Sequence, residues 1–363
     1  MALVLALGSI VVIGAVVAGG FYVASRDVRI GRSTTAQERA QLRAERALNA
    51  VRERFEDPAL RPNIAVDGGS LNYDYGTSSA RVTRLNSNAY LISALATATA
   101  NGSDAARRRV SLMMVRRVPE MTFMGALTVR GDTKIGGNSL ISGNDANPAG
   151  WDCPPAGTAK AGIVTPVSNP IDYSGCKETT CIAGSPKVDA NDIAAKDETY
   201  FQYGNSSWDE LKTYARIVPA GTYSQIMPTY KADGSCNLID SNWGDPVKGG
   251  GATACENYYP IIYVPGDMHI TGGMGQGVLL VEGDLDVQGG FEFYGPVIVK
   301  GALQTQGTGG HFNGGVMAAN VNLDQNTVLG DALISYSSCA IATALANSAP
   351  MLPVRQRAWA DLF

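Results

Sequence analysis

The chain has 363 residues, 45% of them hydrophobic and 17% charged, with a formal net charge of −4. That length leaves room for two or three units, and so weak a charge excludes polyanion binding driven by the chain as a whole. Six cysteines without a CxxC pair, and only two histidines (His269 and His311), give a zinc site no support.

The first element is ALVLALGSIVVIGAVVAGGFYVAS, residues 2–25, and no charge precedes Arg26. It is long enough to span a bilayer, which needs about 20 apolar residues. A cleaved secretory signal has a shorter apolar core after a basic stretch, so a retained segment is expected. Beyond Arg26 the chain runs to Asp57-Pro58 without a proline. Ala36, Ala40, Ala44, Ala47, Leu48, Val51 and Phe55 recur at helical spacing, with Arg and Glu between them. Proline constrains the residue before it, so the spacing predicts one helix of about 55 residues, some 80 Å long. Its first half is apolar all round and its second half amphipathic. Gly14, Gly19, Gly20 and Gly31 are its points of weakness. Gly14-xxx-Ala18 and Ala15-xxx-Gly19 permit close approach of like helices.

Arg26, Arg29 and Arg32 follow the span, where the positive-inside rule would put them in the cytoplasm. The cysteines and the β-rich remainder point outward. A basic leader, removed after insertion, reconciles the two, and Met1 is then a processed terminus.

The opening MALVLALGSIVVIGAVV, its amphipathic continuation and the later ALTVRGDTKIGGNSLISGND resemble type IV pilins, nearest the PilX-type pilus-assembly branch. The resemblance is clearest over residues 1–57 and weaker over 120–145 and 259–346. It implies leader removal, methylation of the new N-terminus and packing of the helices into the core of an extracellular filament. The implied assembly residues are Met1, Leu5, Gly8, Gly14, Ala18, Gly19 and Gly20. Implied partners are identical subunits, the inner membrane before assembly and the pilus assembly machinery; no cofactor and no catalytic residue are implied. Major pilins carry a glutamate at the position of Leu5, so a minor priming or tip role is the alternative.

Residues 58–122 read as a small pilin-like sheet, with strands over 90–99 and 108–118 joined at Asn101-Gly102. The runs Arg107-Arg108-Arg109 and Arg116-Arg117 lack interleaved aromatics, so a solvated face or a subunit contact is expected rather than nucleic acid. Residues 123–145 change to short strands punctuated by glycine, a first β-rung. Residues 146–258 read as a loop-rich, surface-exposed insert with one short helix in SSWDELKTYARI, started by Ser207 and Glu210. Five cysteines fall there: Cys153, Cys176, Cys181, Cys236 and Cys255. A disulfide framework is expected with its connectivity open, Cys176–Cys181 as a local bridge, and Cys339 either bonded or a buried thiol.

Over 259–330 a repeat emerges. Gly266, Gly283, Gly301 and Ala319 lie 17, 18 and 18 residues apart, and Gly272, Gly289, Gly307 and Gln325 each follow six residues later. A fixed period with strand–turn–strand units predicts a parallel β-solenoid, with an antiparallel meander as the alternative. Residues 331–363 read as a helix over 335–347 that closes the solenoid end, then an extended tail with Trp359 and Phe363 as docking side chains. The fold class is therefore α+β. Asp267, Asp284 and Asp286 fall near equivalent rung positions, as in a solenoid that binds or cleaves surface polysaccharide, but they sit at glycine turns where Asp is favoured for local hydrogen bonds.

Overall fold

The computed structural model describes residues 2–56, 64, 68–99, 105–248, 253–320, 326–354 and 359–362. The chain divides into two compact units, residues 1–117 with 351–363, and residues 118–350. The architecture is α+β: a long N-terminal helix, a small sheet and a large β-rich region.

In the first unit, α1 (Ala2–Glu56) is one unbroken helix of 55 residues. It lies on an antiparallel sheet of β1 (Ser70–Asp74), β2 (Ser78–Arg84), β3 (Ala89–Ala98) and β4 (Ala106–Arg116). The predicted hairpin is β3–β4, and Asn101-Gly102 falls outside the described residues. The alternation of Val110, Leu112 and Met114 sends one face of β4 towards the helix, as period-2 patterning requires. The tail is extended as expected: Met351–Pro353 and Trp359–Leu362 add antiparallel to β4. The side chains of Trp359 and Phe363 lie outside the described residues.

The second unit is built from parallel pairs in two sheets. In the seven-stranded sheet, Gly221–Tyr223, Met268–Ile270, Leu285–Val287, Leu303–Thr305, Asn326–Val328, Thr133–Gly136 and Ile171–Ser174 stack in that order. The twelve-stranded sheet runs alongside through Ile261–Val264, Val278–Val281, Phe291–Val299 and Gly310–Ala318; Ile261–Val264, Val278–Val281 and residues 297–299 and 316–318 are buried apolar runs because both their faces are covered. The repeat anchors stack directly: the Gly283 amide donates to Gly266 O at 3.2 Å and the Gly301 amide to Gly283 O at 3.0 Å. Pairing is parallel throughout these two sheets, against the meander alternative. The sheets remain two open ladders; neither closes on itself.

Chain order and spatial order differ. Gly125–Val129, Thr133–Gly136 and Leu140–Ser142 pair with strands of residues 310–336, so the first glycine-punctuated segment joins the far end of the repeat. Residues 146–258 depart from the loop-rich expectation. Ala161–Thr165, Ile171–Ser174, Ile182–Ala183 and Val188–Ala190 extend the ladders at one end, and Arg216–Ile217 and Gly221–Tyr223 at the other. Pairing with strands distant in the chain overrode a local pattern broken by Pro and Gly. The helix Trp208–Tyr214 starts where expected, with Ser207 Oγ accepting the Glu210 amide at 3.3 Å. It is no surface decoration: Trp208 and Leu211 are buried, and the indole meets the Tyr263 ring edge-on at 6.4 Å.

The helix Ser338–Ser348 also sits elsewhere than expected. Instead of closing a ladder end, it packs across Phe291–Val299 and Gly310–Ala318, with Ala340, Ile341, Ala344 and Leu345 buried. Its small residues allow the close approach; a Cβ on Gly295 would lie 2.9 Å from the Ala344 methyl. Cys339 is bonded to Cys153, and the remaining pairs are Cys176–Cys181 and Cys236–Cys255. The free-thiol alternative for Cys339 is thereby corrected. The Cys153–Cys339 bond joins positions 186 residues apart because the fold, not the local sequence, brings them together.

Two results are expected here. Gly277 has φ +116°, and a Cβ there would lie 2.2 Å from Pro260 O. Gly277→Ala is expected to cost about 3 kcal/mol or more, strain and clash together, read as a lowered unfolding midpoint; an unchanged midpoint would count against the tight rung contact. Asp145 anchors the start of the helix Ser338–Ser348, accepting from the Ser338 amide at 2.8 Å, the Ser338 hydroxyl at 2.6 Å and the Gly157 amide at 2.6 Å. Burial pushes its carboxyl up, but these hydrogen bonds outweigh burial and hold it below the usual range. A depressed carboxyl stabilises the fold above the ordinary carboxylate value of about 4 and loses that contribution as pH falls through its folded value. Hydrogen exchange of the first turn of that helix should accelerate in that acid window, and Asp145→Asn should remove the pH dependence.

Candidate functional site

The candidate site is α1 itself, and its two halves have opposite surroundings. In the outer half, Ala36, Ala40, Ala44, Leu48, Val51 and Phe55 are fully buried and Ala47 nearly so, the stripe expected from spacing. This stripe packs on β2, β3 and β4. Alanine at four successive contact positions lets the helix lie close to the sheet. Polar contacts flank it: Arg43 donates to Thr97 O at 2.9 Å and Arg108 to Gln37 Oε1 at 2.7 Å. At its end the Phe55 and Tyr90 rings meet at 6.0 Å, with the guanidinium groups of Arg84 and Arg116 at 5.6 and 5.8 Å from the same tyrosine ring. Burial lowers the Arg116 pKa, while the Tyr90 hydroxyl accepts from it at 2.9 Å.

The inner half has no such cover. Leu3, Leu7, Ile10, Val11, Val12, Ile13, Val16, Val17, Phe21, Tyr22 and Val23 are all exposed, several by two thirds or more. Fully burying one such side chain contributes roughly 1.5–3 kcal/mol, so leaving the whole set in water would cost more than a typical domain's stability. α1 is long and apolar enough to cross a membrane, and residues 2–25 extend about 36 Å against a hydrocarbon thickness of about 30 Å. At and beyond the end of the apolar stretch, three hydroxyls bond within the helix: Ser25 donates to Tyr22 O at 2.8 Å, Thr34 to Ile30 O at 3.0 Å and Thr35 to Gly31 O at 2.9 Å. Arg26 folds back over the Tyr22 ring at 5.9 Å, at the boundary between apolar and charged sequence.

The expected assembly residues are therefore carried on one rigid element. Gly8, Gly14, Ala18, Gly19 and Gly20 lie on the exposed helix, and a Cβ added to any of these glycines would meet nothing within 4 Å. Among the described residues nothing packs against these glycines. Leu5 is helical, while its side chain and the whole of Met1 lie outside the described residues. The predicted cysteines are elsewhere, in the second unit.

The aspartates of the repeat have turn roles. Asp267 Oδ1 accepts the Asp284 amide at 2.9 Å, and Asp284 Oδ1 accepts the Ala302 amide at 2.8 Å, so each carboxylate ties its turn to the next rung. Asp286 instead lies 2.9 Å from His269 Nδ1 on the neighbouring strand. His311 Nε2 lies 3.2 Å from Asp331 O. Among the described residues no cluster of three His, Cys, Asp or Glu side chains could hold a metal ion.

No protein-family model matches this chain, and no curated protein matches it. Among solved structures it is similar to the competence-associated pilin ComZ from Thermus thermophilus. The identity is 9%, the likeness covers 92% of this chain and 97% of that one, and the TM-score is 0.24. So slight a likeness carries no argument, and the functional reading rests on the residues of α1.

Proposed function

We propose that this chain is a pilin-like structural subunit, held in the inner membrane by residues 2–25 and assembled through the same residues into an extracellular filament. What carries the reading is the contrast along α1: a stripe from Ala36 to Phe55 buried on the chain's own sheet, and an apolar stretch from Leu3 to Val23 whose described side chains are exposed. Lipid covers that stretch before assembly; neighbouring copies cover it afterwards. Lipid tails are as apolar as leucine, so exchange of one cover for the other depends on close packing. The unencumbered small residues Gly8, Gly14, Ala18, Gly19 and Gly20 supply that closeness. On this reading the two parallel ladders of the second unit are the body displayed outside the core, and their three disulfides suit an oxidising compartment. The role is structural rather than enzymatic, with identical subunits and the pilus assembly machinery as partners.

A minor, priming or tip subunit is the second reading, and Leu5 favours it, since major pilins place a glutamate there. Surface filaments sheared from cells that make the full chain distinguish the readings. A helical repeat built of this chain alone supports the first; a few copies at one end support the second. Mass spectrometry of the N-terminal peptide tests both, because a methylated terminus at Met1 is expected, and an unmethylated one extending upstream would remove the pilin assignment.

A further inference from the structure

Over residues 32–46 the charges of α1 are sorted by side, whereas Arg26, Arg29 and Arg54 fall on the side of the buried stripe, Arg52 falls near the acids and Glu53 near the arginines. At about 100° of rotation per residue, Arg32, Arg39, Arg43 and Arg46 fall within a sector of roughly 60°, whereas Asp27, Glu38 and Glu45 fall within about 20°. The two sectors are about 120° apart and flank the buried stripe on either side. The arrangement runs against intrahelical stability. Arg39–Arg43 and Arg43–Arg46 set like charges one turn apart, and none of the three acids has an arginine three or four residues away. Among the described residues no ion pair joins any of these seven side chains. Two of them have hydrogen bonds within the chain: Arg43 donates to Thr97 O of the sheet, and Gln41 donates to Glu45 Oε1 at 3.0 Å. Arg32, Arg39, Arg46, Asp27 and Glu38 are exposed.

We propose that these two flanks are the complementary halves of a contact between copies of this chain, the arginine flank of one α1 facing the acidic flank of the next. The inference rests on the filament reading above and adds its polarity. Because the two flanks are different surfaces of one helix, the contact is heterologous and propagates rather than closing into a pair. Charge pairs beside an apolar seam set partner choice and register in parallel helices. The seven-residue spacing of Glu38 and Glu45 equals that of Arg32 and Arg39 and that of Arg39 and Arg46, so one axial offset between parallel copies brings both acids to arginines.

The test uses the full chain, fluorescently labelled and reconstituted in phosphatidylcholine vesicles, with energy transfer between copies as the readout. Arg39→Glu with Arg46→Glu sets two acids on the arginine flank; Glu38→Arg with Glu45→Arg sets two arginines on the acidic flank. Each double variant alone is expected to associate at least about tenfold more weakly than the unaltered chain. An equal mixture of the two should recover association, and so should the fourfold variant that exchanges the flanks. Raised salt should weaken every recovered case. The inference is overturned if the double variants associate as well as the unaltered chain, or if neither the mixture nor the exchanged variant recovers. If the unaltered chain does not associate at all, the flank contact is overturned, while the filament reading stands or falls on the sheared filaments and the N-terminal peptide, which separates the two failures.

Discussion

Ile13→Asp is expected to lower stable membrane insertion of the full chain about a hundredfold and to abolish filaments. Ile13 lies at the middle of the apolar stretch and is 62% exposed, so no neighbour among the described residues covers the new charge. A carboxylate at the centre of a spanning helix costs about 2.5–3.5 kcal/mol on insertion scales, and each 1.4 kcal/mol is a factor of about ten in the equilibrium. The membrane-retained fraction after alkaline extraction reads the first effect, and the yield of sheared filaments the second. Two controls fix the cause. Ile13→Leu keeps the apolar surface and should behave as the parent. Val28→Asp adds the same charge beyond the span, next to Asp27, and should leave retention nearly intact. Retention of Ile13→Asp at the parental level would mean that residues 2–25 are not the membrane-embedded element.

Phe55→Ala is expected to destabilise the first unit by about 3–5 kcal/mol, the range for removing a buried aromatic ring. Phe55 is fully buried at the end of the α1 stripe and leans on Tyr90, whose ring also carries Arg84 and Arg116. Truncation leaves a cavity beside the Tyr90 ring, and the rigid sheet cannot collapse into it. Amides of β3 and β4 should exchange faster, and the thermal transition of this unit should fall. Leu42→Ala, on the exposed side of the same helix, should change little. Equal effects of the two substitutions would contradict the assignment of the packing face.

The stripe from Ala36 to Phe55 was legible because helix periodicity is local: 3.6 residues per turn turns spacing into a face. The repeat anchored at Gly266, Gly283 and Gly301 was legible for the same reason, as a parallel stack copies its turn once per rung. The strands at 161–190 and 216–223 were not. They are short, interrupted by Pro and Gly, and are held by partners far along the chain, as Ala161–Thr165 is by Gly125–Val129. Nor was the Cys153–Cys339 pairing, since connectivity among six cysteines is not encoded in their spacing. The sorted charges of α1 were present in the sequence, but they acquired meaning only once the buried stripe showed which sides of the helix remain open.

The sequence by itself determined the elements whose physics is local: the unbroken apolar-to-amphipathic helix, its packing stripe, the period near 18 residues and the turn aspartates. Tertiary structure alone decided which strands neighbour which, that residues 125–142 stack against residues 310–336, that the last strands complete the sheet under α1, and where the helix Ser338–Ser348 rests. The reason is the range of the interactions. Helical spacing and turn chemistry act over a few residues, whereas strand pairing and disulfide closure are settled by which distant segments bury the most apolar surface while satisfying their backbone hydrogen bonds.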